Sequence, residues 1–264
     1  MTIALLNTQP ATTDDLRALA LVNYGHFTAM QVRDRALQGL EFHVERLQTG
    51  TRELFGVELD RERILTQLRG ALAAGEADAS LRFTVFARGF DYRKPLQAVE
   101  PDILITLTPP ASADKPPLRV KSYRFVRPLP HIKHVGTFPL FHFRRQAQLA
   151  GHDDALFVAD DGCVVEGSIW NIGCWDGEGV VWPEGPALRG TGERLLQAGL
   201  AGLGVPQRHG PVALAEVGGF RAAFACNASG LQAVIGIDGA VFPADAALMD
   251  LLARAQASQP WERP

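Results

Sequence analysis

Cysteine is scarce in this chain. Cys163, Cys174 and Cys226 are an odd count with no C-x-x-C pair, so the expectation is a cytoplasmic protein with reduced thiols rather than a disulfide scaffold. The opening residues "MTIALLNTQPATTDD" lack a charged segment leading into a long apolar run, so no targeting segment is expected. Nor does any apolar stretch approach the roughly 18 residues that suggest a membrane span. Excess charge is missing too. Lys and Arg number 26 against 29 Asp and Glu, a formal charge of −3, and the charges are spread along the chain. A protein that neutralises nucleic-acid phosphates or anionic lipid needs a basic stripe, so the expected partners are small molecules. What is present in quantity is apolar: 47% of 264 residues, enough for one large domain or two small ones.

The clearest break is "PPASADKPPL", residues 109–118, where four prolines among small polar residues cannot continue a helix or a central strand. It is read as a linker between an N-terminal domain, 1–108, and a C-terminal domain, 119–264. In the first, "HFTAMQVRD" alternates like a strand. "LEFHVERLQTGTRELFG" places apolar residues at helical spacing with Gly56 as C-cap, and "DRERILTQLRGALAAG" is a second helix with Asp60 as N-cap. "LRFTVFARG" and "DILITLTP" read as strands, so the unit is β-α-α-β-β, an α+β domain. In the second, "RVKSYRFVRP" is strand-like. "TFPLFHFRRQAQLAG" is a helix with Thr137 as N-cap, Pro139 in its first turn and Gly151 at its end. "ALFVA", "CVVEGSIWNIGCW" and "VVWPEG" then predict a meander of antiparallel strands. "LRGTGERLLQAGLAGLG" opens a helix on a glycine-rich turn, and "RAAFACNASGLQAVIGID" reads strand, loop, strand. This domain is α/β or α+β.

Several residues could carry chemistry. Lys133 lies between His131 and His134 and among Ile132, Val135 and Phe138. Apolar neighbours desolvate a lysine, lower its pKa and make it a nucleophile able to form a Schiff base; the alternative is a surface lysine. The two histidines are spaced i, i+3, but no H-E-x-x-H helix surrounds them, and no metal is expected. Glu166 interrupts apolar and small neighbours, so it either faces a cationic or protonated partner or sits at a sheet edge with water. The glycines of "LRGTG", 188–192, precede a helix, where free amides and the helix dipole favour a phosphate. "CNASG", 226–230, is a second small-residue loop that could offer amides to the same anion. Arg46, beside the apolar face of its helix, either snorkels outward or offers its fork to a phosphate.

Taken in order, H-x-x-R-L, a lysine, "GHDDALFVADDGCVVEGSIWNI", L-x-G at a helix start and a small-residue loop resemble the class IV aminotransferase family, the pyridoxal-phosphate enzymes of fold type IV. Branched-chain and D-amino-acid aminotransferases and aminodeoxychorismate lyase are members. The resemblance runs from about Asn23 to Asp238. It implies a two-domain fold like that of D-amino-acid aminotransferase, with a small N-terminal α+β domain and a larger C-terminal α/β domain. It also implies pyridoxal phosphate as cofactor and a homodimer. Residue by residue, Lys133 resembles the Schiff-base lysine, and Glu166 the glutamate facing the pyridine nitrogen. Arg46 matches the phosphate arginine, Gly190, Thr191 and Gly192 the L-x-G-I-T turn, and Asn227, Ala228 and Ser229 the second phosphate loop. Gly192 departs from the usual threonine, and Phe138 stands where branched-chain enzymes have tyrosine. "HFTAM" and "CNA" look more like the lyase branch. Phe27, Arg82 and Arg88 are candidate substrate ligands, with Arg93 a further arginine of the same kind. The implied activity is amino-group transfer between an amino acid or amine and a 2-oxo acid, with pyruvate elimination to give p-aminobenzoate as the alternative. A third reading is a non-catalytic homologue.

Overall fold

The computed structural model describes residues 2–112 and 114–264. In chain order the elements are β1 (Ile3–Leu6), β2 (Gln9–Pro10), α1 (Thr13–Leu21), β3 (Gly25–Arg33), β4 (Ala36–Gln38), α2 (Leu40–Phe55), α3 (Arg61–Ala74), β5 (Ala79–Phe86) and β6 (Asp102–Thr108). There follow β7 (Leu118–Arg124), α4 (Phe138–Leu149), β8 (Asp154–Val158), β9 (Val164–Gly167), β10 (Asn171–Trp175), β11 (Val180–Pro183), α5 (Thr191–Gly202) and β12 (Gln207–Gly210). The chain ends with a 3₁₀ turn (Leu214–Gly219), β13 (Ala222–Asn227), β14 (Gly230–Ile237), β15 (Ala240–Val241), α6 (Ala246–Ala257) and β16 (Trp261–Glu262).

These elements form two compact units. One comprises Met1–Ala111, Ile132–Gly136 and Pro260–Pro264; the other comprises Ser112–His131 and Thr137–Gln259. The division is not a single cut in the chain, because the five residues around Lys133 belong with the N-terminal unit.

The first unit is a seven-stranded sheet in the order β16-β4-β3-β5-β6-β1-β2, and every pairing in it is antiparallel. α2 and α3 cover one face. Leu40, Val44 and Leu47 of α2 and Ile64, Leu65, Leu68 and Leu72 of α3 recur at helical spacing and are buried against Leu81, Phe83 and Val85 of β5. Each such side chain contributes about 2 kcal/mol of apolar burial. The caps follow the sequence pattern: Asp60 accepts from the Arg63 amide, and Gly56 ends α2 at φ +68°.

The second unit holds a nine-stranded sheet in the order β12-β11-β10-β13-β14-β7-β8-β9, with β15 paired to β14. Its pairings are mixed, since β7 runs parallel to both β8 and β14, and β11 parallel to β12. The predicted meander is therefore only partly present. "CVVEGSIWNIGCW" is not one strand: it breaks into β9, paired with β8, and β10, which pairs with β11 and β13. The break has a physical cause. The Gly167 amide donates to the Trp170 carbonyl at 2.8 Å, and a Cβ on Gly167 would lie 2.0 Å from the Trp170 ring, so the chain turns where only glycine lets the indole fold back. α5 and α6 pack together on one side of the sheet, over Trp182, Phe224 and Cys226.

Candidate active site

Lys133 is held by backbone hydrogen bonds. The Phe27 amide donates to the Lys133 carbonyl and the Val135 amide to the Gly25 carbonyl, both at 2.9 Å, which makes residues 133–135 a short rung alongside β3. That rung places the half-buried Lys133 with Nζ 5.0 Å from the centre of the Phe27 ring. Arg82, on the neighbouring β5, stacks over the same ring at 3.5 Å. A buried aromatic ring with two cations against it is a favourable desolvated arrangement. Arg82 donates from Nε to Thr84 Oγ1 at 3.2 Å, and burial lowers its pKa.

α2 brings in a third cation. His43 faces inward, 2% exposed, with Nδ1 2.6 Å from Thr28 Oγ1. One turn later comes the half-buried Arg46. The His43 pKa is lowered to about 3, first by burial and then by the positive charges of Arg46 and Lys133. A neutral histidine is thus lodged beside both cations. His26, buried on β3 with Nε2 3.0 Å from Thr51 Oγ1, is likewise pushed down to about 4 by burial. Arg88 differs from Arg82: its guanidinium is engaged by Asp15 at 2.6 Å and Asp102 at 3.0 Å.

The remaining candidates lie in the second unit. Glu166 is 4% exposed at the end of β9, and its Oε1 lies 3.9 Å from Nε of Arg127, itself 5% exposed. The sheet-edge reading of Glu166 gives way to the paired one, with a buried arginine as the cation. Burial lowers the Arg127 pKa and Glu166 opposes that shift. The Leu188 amide donates to Glu166 Oε2 at 3.3 Å, which ties the carboxylate to the glycine-rich turn. Asn171 clamps that turn from the other side, donating to the Leu188 carbonyl at 2.7 Å and accepting from the Gly190 amide at 3.2 Å. Gly190 then caps α5, so the first-turn amides of Thr191, Gly192 and Glu193 stand at the helix's positive end.

The glycine at 192 has a direct reason. A Cβ there would meet the Asn227 carbonyl oxygen at 2.4 Å and its carbon at 2.5 Å, backbone atoms that cannot swing aside. The close approach of α5 to the "CNASG" loop excludes a threonine. That loop is the tip of the β13–β14 hairpin, where Asn227 Oδ1 accepts from both the Ser229 amide at 2.9 Å and the Ser229 hydroxyl at 2.7 Å.

Arg127, Asn171 and Glu193 are buried polar residues beside the site candidates that the sequence does not single out. Asn171 had a signal, since it ends the E-G-x-x-x-N motif. Arg127 and Glu193 had none: an arginine six residues before a lysine and a glutamate in a helix's first turn look like solvated charges. Glu193 is 1% exposed, ion-paired to Arg189 at 3.1 Å, and burial raises its pKa.

Taken unit by unit, the first carries an amine and a guanidinium one turn from a neutral histidine, and the second a buried carboxylate and a helix N-terminus cleared by glycine, the residue types that suit the aldehyde, ring nitrogen and phosphate of pyridoxal phosphate. The residues present fit that group.

Comparison with known proteins agrees with this chemistry. No curated protein sequence matches the chain significantly. Among solved structures, a branched-chain aminotransferase from the archaeon Thermoproteus uzoniensis superposes with a TM-score of 0.85 at 18% identity, over 97% of this chain and 94% of that one. The 4-amino-4-deoxychorismate lyase of Pseudomonas aeruginosa gives 0.80 at 24%, over 97% and 99%. A hypothetical aminotransferase from Mycobacterium tuberculosis, in its pyridoxal-phosphate-bound form, gives 0.82 at 20%, over 97% and 98%. The sequence model for "Amino-transferase class IV" matches residues 25–237, from the first residue of β3 to the last of β14. The chain belongs to the class IV amino-transferase family and is an enzyme that works with pyridoxal phosphate.

Proposed function

We propose that this enzyme is an aminotransferase that moves an amino group between an amino acid or amine and a 2-oxo acid. The observation that carries the reading is Lys133, an amine fixed by the backbone rung on β3, with Nζ over the Phe27 ring. When bound, pyridoxal phosphate supplies an aldehyde for amine exchange and a ring that accepts electrons from the substrate's α carbon. Lys133 would hold the cofactor covalently and would move the proton at the substrate's Cα. The carboxylate of Glu166, set opposite Arg127, would face the ring nitrogen and hold the proton there. In the second unit, the first-turn amides of α5 and the Asn227–Ser229 hairpin tip would take the phosphate as fixed dipoles; in the first, Arg46 would offer its fork to an anion. Arg82, stacked on Phe27 and lacking any carboxylate partner among the described residues, is offered to the substrate's carboxylate; Arg88 is committed to Asp15 and Asp102. The working form is proposed to be a homodimer.

A second reading, elimination of pyruvate from aminodeoxychorismate, is favoured by the Phe27-Thr28 and Cys226-Asn227-Ala228 segments. One pair of assays separates the two. Amino donors supplied with a 2-oxo acid should yield a new amino acid, and p-aminobenzoate formed from aminodeoxychorismate with no such transfer would overturn the aminotransferase reading.

A further inference from the structure

The proline-rich segment 109–118 contributes a charged side chain to the same hairpin tip. Lys115 donates from Nζ to Ser229 Oγ at 2.9 Å, and the Ser229 hydroxyl passes its own hydrogen to Asn227 Oδ1 at 2.7 Å. The segment is tied down close by, since Gln232 on β14 donates to the Pro116 carbonyl at 2.9 Å. Pro116 and Pro117 follow Lys115 directly and stiffen the chain there. The ammonium lies over Gly230, 3.7 Å from where a Cβ on that residue would stand.

The cation is not compensated. Lys115 is half-buried, burial lowers its pKa, and among the described residues no carboxylate pairs with it. An ammonium has three donors; one goes to Ser229, which leaves two without an acceptor among the described residues. A desolvated cation with spare donors, beside a turn whose serine is already oriented, matches an oxyanion. A purely structural tie between segment and hairpin would work as well with a neutral donor and would avoid the cost of desolvating a charge.

We propose that Lys115, steadied by Ser229, is an oxyanion ligand at the Asn227–Ser229 turn, taking a phosphate or carboxylate carried by cofactor or substrate. The proposal rests on the functional reading that places an anion at this turn.

The test compares the wild type with K115M and K115R as full-length chains. Affinity of the cofactor-stripped protein is measured for pyridoxal phosphate and for pyridoxal, and KM for the 2-oxo acid is measured on the loaded enzyme. Loss of one charge-assisted contact costs about tenfold in affinity. If the anion is the phosphate, K115M binds pyridoxal phosphate about tenfold more weakly and pyridoxal unchanged. If it is the substrate's carboxylate, cofactor affinity holds and KM for the oxo acid rises about tenfold. K115R, which keeps the charge, restores either. Inorganic phosphate gives a readout independent of the cofactor: a Tm raised by phosphate in the wild type and not in K115M supports the site even if the wild type takes up no pyridoxal phosphate, a failure that would sink the functional reading alone. Equal responses of K115M and wild type in all three measurements overturn the proposal, as does a variant whose only change is a lower Tm.

Discussion

Lys133 shows how little of a residue's chemistry is local. Its neighbours in sequence leave a nucleophile and a surface lysine both open; the groups set against it, Phe27, His43 and Arg82, lie on other elements. Replacing it with alanine should abolish borohydride-trappable cofactor and reduce transfer by several orders of magnitude while leaving the fold intact, because a half-buried side chain is removed and its backbone rung remains. An adduct that still forms in Lys133→Ala would move the covalent role elsewhere. Asp154 is a second case. In the D-D-A-L motif it looks like surface charge, yet it is 2% exposed and accepts from the Ala155 amide at 2.8 Å, Ser168 Oγ at 2.6 Å and Trp170 Nε1 at 3.0 Å, with Arg144 3.6 Å away. It therefore holds the turn that separates β9 from β10. Asp154→Ala leaves buried donors without an acceptor and should cost about 3 kcal/mol or more, measured as the urea midpoint against wild type.

Among the elements, α5 illustrates what glycine does beyond helix propensity. Gly192 faces the Asn227 backbone, and Gly199 faces that of α6, where an added Cβ would lie 2.0 Å from the Ala255 carbonyl oxygen. Propensity alone favours alanine at both by up to about 1 kcal/mol. Close approach reverses the sign: each Gly→Ala change forces backbone apart and should destabilise by roughly 1–3 kcal/mol, with Gly192→Ala also weakening cofactor binding and Gly199→Ala not. If either variant proves more stable than wild type, the packing assigned to α5 is wrong. The helices α2, α3 and α4 could be read from spacing and caps because those signals are local. β4 could not, since it returns from β3 through Asp34 and Arg35, both at positive φ (47° and 58°), residue types that do not announce a hairpin. The break at Gly167 was hidden for a similar reason: a tryptophan three residues on, rather than a turn sequence, makes it.

At the scale of the molecule, buried histidines set the acid limit. His26 and His43 have folded pKa values of about 4 and about 3 against an ordinary 6.5. Well above pH 6.5 neither is protonated in either state, and their contribution to stability is fully present. Below that, the unfolded chain takes up protons that the folded protein refuses, so stability falls by about 1.4 kcal/mol per pH unit for each histidine until the folded values are reached. Urea midpoints should decline from pH 6.5 towards 4. His43→Gln, which keeps an acceptor or donor for Thr28, should flatten the slope by about half over that window, and an unchanged slope would show that the acid sensitivity has another source. From the residues alone, the mixed helix-and-strand fold class, the helices α2, α3 and α4, and the family with its cofactor were legible, because caps, hydrophobic period and motif spacing are written along the chain. Which cation answers Glu166, why position 192 must be glycine, and that Lys115 reaches Ser229 were decided by the tertiary structure. Each depends on a distance between residues that are dozens of positions apart, and no local pattern records it.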